Sequence, residues 1–118
     1  MARILLAEDD DSLRGFLARA LARAGHEVEA CPDGEVAARH IDRDWDLLLT
    51  DIIMPGMDGI ELARLAAQRH PGLQIMFITG FAAVALQAEA EAPPGARVLS
   101  KPVHLRDLVV AVDRMLAA

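Results

Sequence analysis

The chain has 118 residues, 53% of them hydrophobic and 25% charged, enough to bury a core and too apolar for a disordered segment. Its net charge of −6 argues against nucleic acid as a direct partner, and no apolar run reaches the ~18 residues of a membrane span. The lone cysteine, Cys31, leaves no internal disulfide framework, and the N-terminus lacks the layout of a signal peptide, so a cytoplasmic location and a single domain over residues 1–118 are expected.

Ile4–Ala7 reads as the first strand. Asp10–Ala24 reads as a helix: acids stand at its start, Leu13, Leu17 and Leu21 share one face, and Gly25 stops it. Glu27–Cys31 is a second strand, in which Cys31 serves as a small apolar residue. Pro32-Asp33-Gly34 turns the chain into a helix over Glu35–Ile41. Leu47–Thr50 is the third strand, preceded by Trp45 at the end opposite the acids. Pro55-Gly56 and Gly59 mark a loop, with Asp58 as a helix-start cap, and Ile60–Arg69 is a helix ended by Pro71-Gly72. Leu73–Ile78 and Ala96–Leu99 are strands four and five. Between them Ala82–Ala90 carries helix-forming alanines but a thin apolar face, so a short, loosely held helix is expected before Pro93-Pro94-Gly95. His104–Leu116 closes the pattern, with Leu105, Leu108, Val109, Val112, Met115 and Leu116 at helical spacing. Fivefold strand–helix alternation predicts an α/β fold: a doubly wound, five-stranded parallel sheet with helices on both faces.

The strands share one property. Each of four apolar runs ends in polar residues: Glu8 and Asp9, Asp51, Thr79, and Lys101. Ligands of open α/β sheets bind at the carboxyl ends of the strands. The pattern therefore predicts one site with three carboxylates, a hydroxyl and an ammonium. That set suits a divalent metal and a phosphoryl group, with a carboxylate as nucleophile. Asp10 and Asp11 read instead as acids at a helix N-terminus, one of them the cap. His26, His40, His70 and His104 are scattered without metal-ligand spacing.

Glu8-Asp9, Asp51 within Leu48-Leu49-Thr50-Asp51-Ile52-Ile53-Met54-Pro55-Gly56-Met57-Asp58-Gly59, Thr79-Gly80 and Lys101-Pro102 together resemble the receiver domain of two-component response regulators, over the whole chain. More narrowly, the stretch Met76 to Leu86 and the ending His104 to Val109 are similar to the short single-domain CpdR-type regulators, which link phosphorelays to the ClpXP protease. The resemblance implies a flavodoxin- or CheY-like strand order of 2-1-3-4-5. It implies Asp51 as phosphoacceptor, Mg²⁺ as cofactor, and Glu8, Asp9, Asp51 and the backbone carbonyl of Ile53 as its ligands. It also implies Lys101 and Thr79 as partners of the phosphoryl oxygens, and a cis Lys101–Pro102 bond. Glu8 stands where the family more often has Asp.

The implied donor is a histidine kinase or histidine phosphotransfer protein. The implied output is protein contact by a monomer or weak homodimer: an adaptor that engages ClpX and protease substrates, switched by phosphorylation. The ending Leu116-Ala117-Ala118 resembles the end of a tag that sends proteins to ClpXP. Three other readings compete: a phosphate shuttle or sink within a relay, a haloacid-dehalogenase-type phosphatase, and a pseudo-receiver that folds but is not phosphorylated. The second would want an acid where Ile53 stands. The chain departs from many receivers at Val98, where strand five often has an aromatic, so Phe81 becomes the candidate switching side chain. Ile53 and Phe81 flank the path of hydrolytic water in the family; both are apolar, which predicts slow self-dephosphorylation.

Overall fold

The computed structural model describes residues 2–117, and only the backbone of Ala82 and Ala83. Five strands alternate with five helices: β1 (Arg3–Ala7), α1 (Asp11–Arg23), β2 (Glu27–Cys31), α2 (Gly34–Arg39), β3 (Leu47–Asp51), α3 (Gly59–Arg69), β4 (Gln74–Thr79), α4 (Ala82–Glu91), β5 (Arg97–Ser100) and α5 (Leu105–Ala117). All pairings are parallel and the order is β2-β1-β3-β4-β5, as expected. The chain passes from β2, on one side of β1, to β3 on the other. That reversal opens a crevice at the carboxyl ends of β1 and β3, where ligands of such sheets bind.

Alternation along the strands fills two apolar layers. Ile4 and Leu6, Leu47 and Leu49, and Met76 and Ile78 face one side, where Leu17 and Leu21 of α1 and Leu108, Val112 and Met115 of α5 cover them. Leu5 and Ala7, Leu48, and Ile75 and Phe77 face the other, against Ala37 of α2, Leu62, Ala63 and Ala66 of α3, and Ala88 of α4. Both faces of β1, β3 and β4 are buried, which is why those strands read as unbroken apolar runs. Burying each such Leu or Ile is worth about 1.5–3 kcal/mol.

Helix starts follow the acids. The side chains of Asp10, Asp33 and Asp58 accept hydrogen bonds from the N–H groups of Leu13, Val36 and Glu61. Asp10 is thus the cap of the first helix. Capping by Asp33 draws the start of α2 back to Gly34, and its last turn ends at Arg39 rather than Ile41. No side chain caps α4, and Ala88 is its only wholly buried side chain among those described. Its far end is held from outside: Nε and Nη2 of Arg64 donate to the Glu91 carbonyl at 3.2 and 2.9 Å. No described helix is long and apolar enough to cross a membrane.

The loop from Asp51 to α3 folds back on the end of β3. Gly59 donates its N–H to the Ile52 carbonyl at 2.8 Å, and a Cβ there would lie 2.0 Å from the Asp51 carbonyl oxygen and 2.9 Å from Ile52 Cα. These are backbone atoms at the start of the site and cannot yield locally. Gly59→Ala should therefore cost at least about 2 kcal/mol and displace Asp51. Urea denaturation checks this; a stability loss under about 0.5 kcal/mol, the size of an ordinary surface change, overturns it.

Candidate functional site

The sheet brings the sequence-predicted residues together. Ala7 pairs with Thr50, Asp51 with Ile78 and Thr79 with Ser100, so Glu8, Asp51, Thr79 and Lys101 stand at one end of adjoining strands. Carboxylate oxygens of Glu8, Asp9 and Asp51 all lie within 4.8 Å of one another. Glu8 (1% exposed), Asp51 (7%) and Thr79 (1%) are buried here, as is Thr50, while Asp9 is exposed.

Asp51 is fixed at both oxygens. Oδ1 accepts the N–H of Ile52 at 2.7 Å, and Oδ2 accepts from Lys101 Nζ at 2.8 Å. The Thr50 hydroxyl donates to the Asp51 carbonyl at 2.7 Å, which secures the strand end. Lys101 reaches a second acid, with Nζ 3.2 Å from Glu8 Oε1. Its own N–H donates to the Thr79 carbonyl at 2.7 Å, and the Lys101–Pro102 bond is cis. Burial alone would lower the Lys101 pKa, but the hydrogen bond from its ammonium to Asp51 and the charges of Asp51 and Glu8 outweigh it and leave the group above its ordinary value. Lys101 is thus a fixed cation.

Glu8 is strained electrostatically. Burial pushes its carboxyl up from 4.5 to about 7; the N–H of Asp10, which donates to Oε2 at 3.1 Å, pulls the other way, and the Asp51 charge adds to the rise. Oε1 is buried and receives no well-aligned hydrogen bond, although Lys101 stands near it. A buried oxygen without a donor, in a cluster of three carboxylates, is what a hard cation would satisfy. The donor set fits a divalent metal.

Thr79 Oγ1 accepts the N–H of Phe81 at 3.2 Å, tying the end of β4 to the start of α4. The Phe81 ring is 61% exposed and Ile53 50%, so two apolar side chains stand in solvent close in sequence to Thr79 and Asp51. Val98 is half-buried beside the α2–α4 core layer. At the opposite end of the sheet Leu116 packs on the α1–α5 layer and Ala117 is exposed; Ala118 lies outside the described residues. Cys31 is buried, and burial with the nearby Glu29 and Asp33 charges pushes its thiol up to about 11, as suits an inert core residue.

Two contacts of the site went unseen in the sequence. Arg14 donates through Nη1 to the Glu8 carbonyl at 2.9 Å, and the Ile52 N–H binds Asp51. A cation one turn inside an acid-led helix was the available signal for the first. The second is backbone, which sequence does not mark.

Glu8 sets a pH dependence. Its raised pKa means the folded state holds a proton that the unfolded state releases, so its stabilising contribution is full below pH 4.5 and lost as pH rises through about 7. In metal-free protein, Glu8→Gln should gain stability relative to wild type between about pH 5 and about pH 8. Urea denaturation with a chelator present checks this; parallel stability–pH curves overturn it.

Comparison with known proteins accords with this geometry. The model of the response regulator receiver domain matches residues 4–113. The response regulator receiver protein CpdR of Brucella abortus is 56% identical over 119 residues, covering 100% of this chain and 99% of that protein. The sensor kinase CckA of the same organism is 32% identical across 98% of this chain, which spans 12% of that kinase. The crystal structure of a response regulator receiver protein from Sinorhizobium medicae superposes with a TM-score of 0.92 at 32% identity, covering 99% of this chain and 95% of that one. The chain belongs to the response regulator receiver domain family, whose members are phosphoacceptor switches rather than classical enzymes.

Proposed function

We propose that this chain is a phosphorelay switch that accepts a phosphoryl group on Asp51 and changes its protein contacts in response. The observation that carries the reading is the Asp51 carboxylate itself: buried at a strand end, held at both oxygens, and set among Glu8, Asp9 and Lys101. Anchoring of this kind fixes the nucleophile before the donor arrives. An Asp51 oxygen attacks phosphorus, a P–O bond forms, and the P–N bond to a phosphohistidine of a kinase or phosphotransfer protein breaks; the imidazole leaves with the bonding pair. The product is an acyl phosphate.

Lys101 supplies a cation for the phosphoryl oxygens, a role its raised pKa secures at any physiological pH. Glu8, Asp9, Asp51 and the Ile53 carbonyl would hold Mg²⁺, which when bound neutralises charge on the transferring group. Thr79 can donate its hydroxyl proton to the installed phosphoryl. Its oxygen also takes the Phe81 N–H, so a shift of Thr79 reaches the start of α4 directly. With Val98 in place of an aromatic, Phe81 and the weakly held α4 carry the switch. Phosphodonor docking is supported by the groove between α1 and α5, about 580 Å³, with Phe16 and Val110 exposing apolar surface among Arg19, Arg23 and Arg106.

The resemblance to CpdR-type regulators extends the reading to output. The unphosphorylated form engages ClpX and primes substrate degradation, and phosphorylation of Asp51 ends this. The whole-length identity with CpdR of Brucella abortus supports this version over a relay shuttle. Leu116, Ala117 and Ala118 are the candidate tail signal, which the exposure of Ala117 favours.

Intact mass after incubation with Mg²⁺ and a small-molecule phosphodonor tests the acceptor. One added phosphoryl group is expected, absent in Asp51→Ala, and persisting for minutes because Ile53 and Phe81 offer no group to orient water; no adduct, or loss within seconds, overturns the corresponding step. Turnover by ClpXP tests the tail: Ala117→Asp with Ala118→Asp should slow it, and unchanged turnover refutes that role.

A further inference from the structure

Arg14 has no part in the chemistry above, yet its side chain is only 21% exposed and lies at the root of the acidic loop. Nη1 donates to the Glu8 carbonyl at 2.9 Å, and Nη2 pairs at 2.7 Å with Asp11, whose side chain is 88% exposed. The N–H of Glu8 donates to the Cys31 carbonyl at 3.1 Å. Both backbone polar groups of Glu8 are therefore gripped, one by β2 and one by α1.

We propose that Arg14 is a positioning residue for the cation site: its guanidinium fixes the Glu8 backbone and so aims the carboxylates of Glu8 and Asp9 toward Asp51. This inference rests on the metal reading given under the proposed function. Three observations lead to it. The carboxylates crowd within 4.8 Å, where like charges push apart. They follow β1 directly, and α1 begins at Asp11, so little chain is available to hold them. Glu8 has the longer side chain, with more rotamers to lose than Asp, so fixing its backbone matters more.

The sign of the charge separates this role from simple electrostatics. An arginine beside a cation site repels the cation through space. If charge were its only effect, removing it would tighten binding. If it positions the ligands, removing it weakens binding, as loss of groups that orient metal ligands does.

The test is titration of Mg²⁺ alone, followed by calorimetry and by the Mg²⁺-dependent rise in Tm, in wild type, Arg14→Ala, Arg14→Lys and Asp11→Asn. Arg14→Ala should weaken Mg²⁺ binding about tenfold. Arg14→Lys keeps one donor and the charge and should recover part of the loss. Asp11→Asn removes only the outer ion pair and should leave the affinity near wild type. Metal-free urea denaturation of each variant separates folding from binding, and Arg14→Lys carries the test if Arg14→Ala does not fold. Unchanged or tighter binding in Arg14→Ala overturns the inference alone, as does a loss in Asp11→Asn equal to that in Arg14→Ala. A wild type that binds no Mg²⁺ overturns the metal reading itself and the inference with it.

Discussion

One ammonium among three carboxylates governs this end of the molecule. Lys101 Nζ stands 2.8 Å from Asp51 and 3.2 Å from Glu8, and both acids are buried. Two buried carboxylates this close cannot both remain ionised without a cation between them, and removing one partner from such a pair typically costs about 3–5 kcal/mol. Lys101 offsets one negative charge of three. Burial disfavours the charged form of Glu8, and its carboxyl rises to about 7. The chain thus folds around a site that is left short of positive charge, a shortage that a divalent ion could relieve.

The sheet order turns this local balance into a position. β1 and β3 are central and neighbours, so the acids that end them meet without any loop having to carry them across the fold. Below the site two apolar layers grip both faces of the central strands. Fully packed strands move little. Change at the site is directed outward, into the loops after β3, β4 and β5.

Much of this was legible because burial and period dictate it. Apolar runs ending in Glu8, Asp51 and Thr79 could only be central strands, and the polar residue after each could only lie at the sheet end. The acids Asp10 and Asp11, and Asp58, announced two helix starts through their capping chemistry, whereas Asp33 read only as part of a turn. Less was legible where a contact joins distant elements. Nothing in the sequence ties Lys101 to Glu8 rather than to Asp51 alone; that pairing depends on how far the Lys101 side chain reaches across three strand ends. The rise in the Glu8 pKa depends on desolvation, which exists only once the core has closed. Arg14 and Arg64 bind backbone carbonyls, and a carbonyl carries no residue-type signature. The start of α2 shifted because the Asp33 cap sets it at Gly34 rather than Glu35, and Ile41 is buried just past the helix end, after the C-cap His40.

The grip of Arg64 on the Glu91 carbonyl gives α4 a mechanical character. A helix of ten residues is about 15 Å long. It is pinned at its last carbonyl by Arg64 and, one turn earlier, by Ala88 in the core, while its start is tied to the end of β4 by the hydrogen bond from Phe81 to Thr79 and Val84 packs only partly buried on the core. That arrangement is a lever with its fulcrum at the end farthest from Thr79. Displacement of such a lever grows with distance from the fulcrum, so a tilt of α4 would move Phe81 most and Gln87 little. Under the proposed function, the surface that would report the state of Asp51 is accordingly the N-terminal half of α4, which begins three residues after Thr79, the hydrogen-bond partner of Phe81.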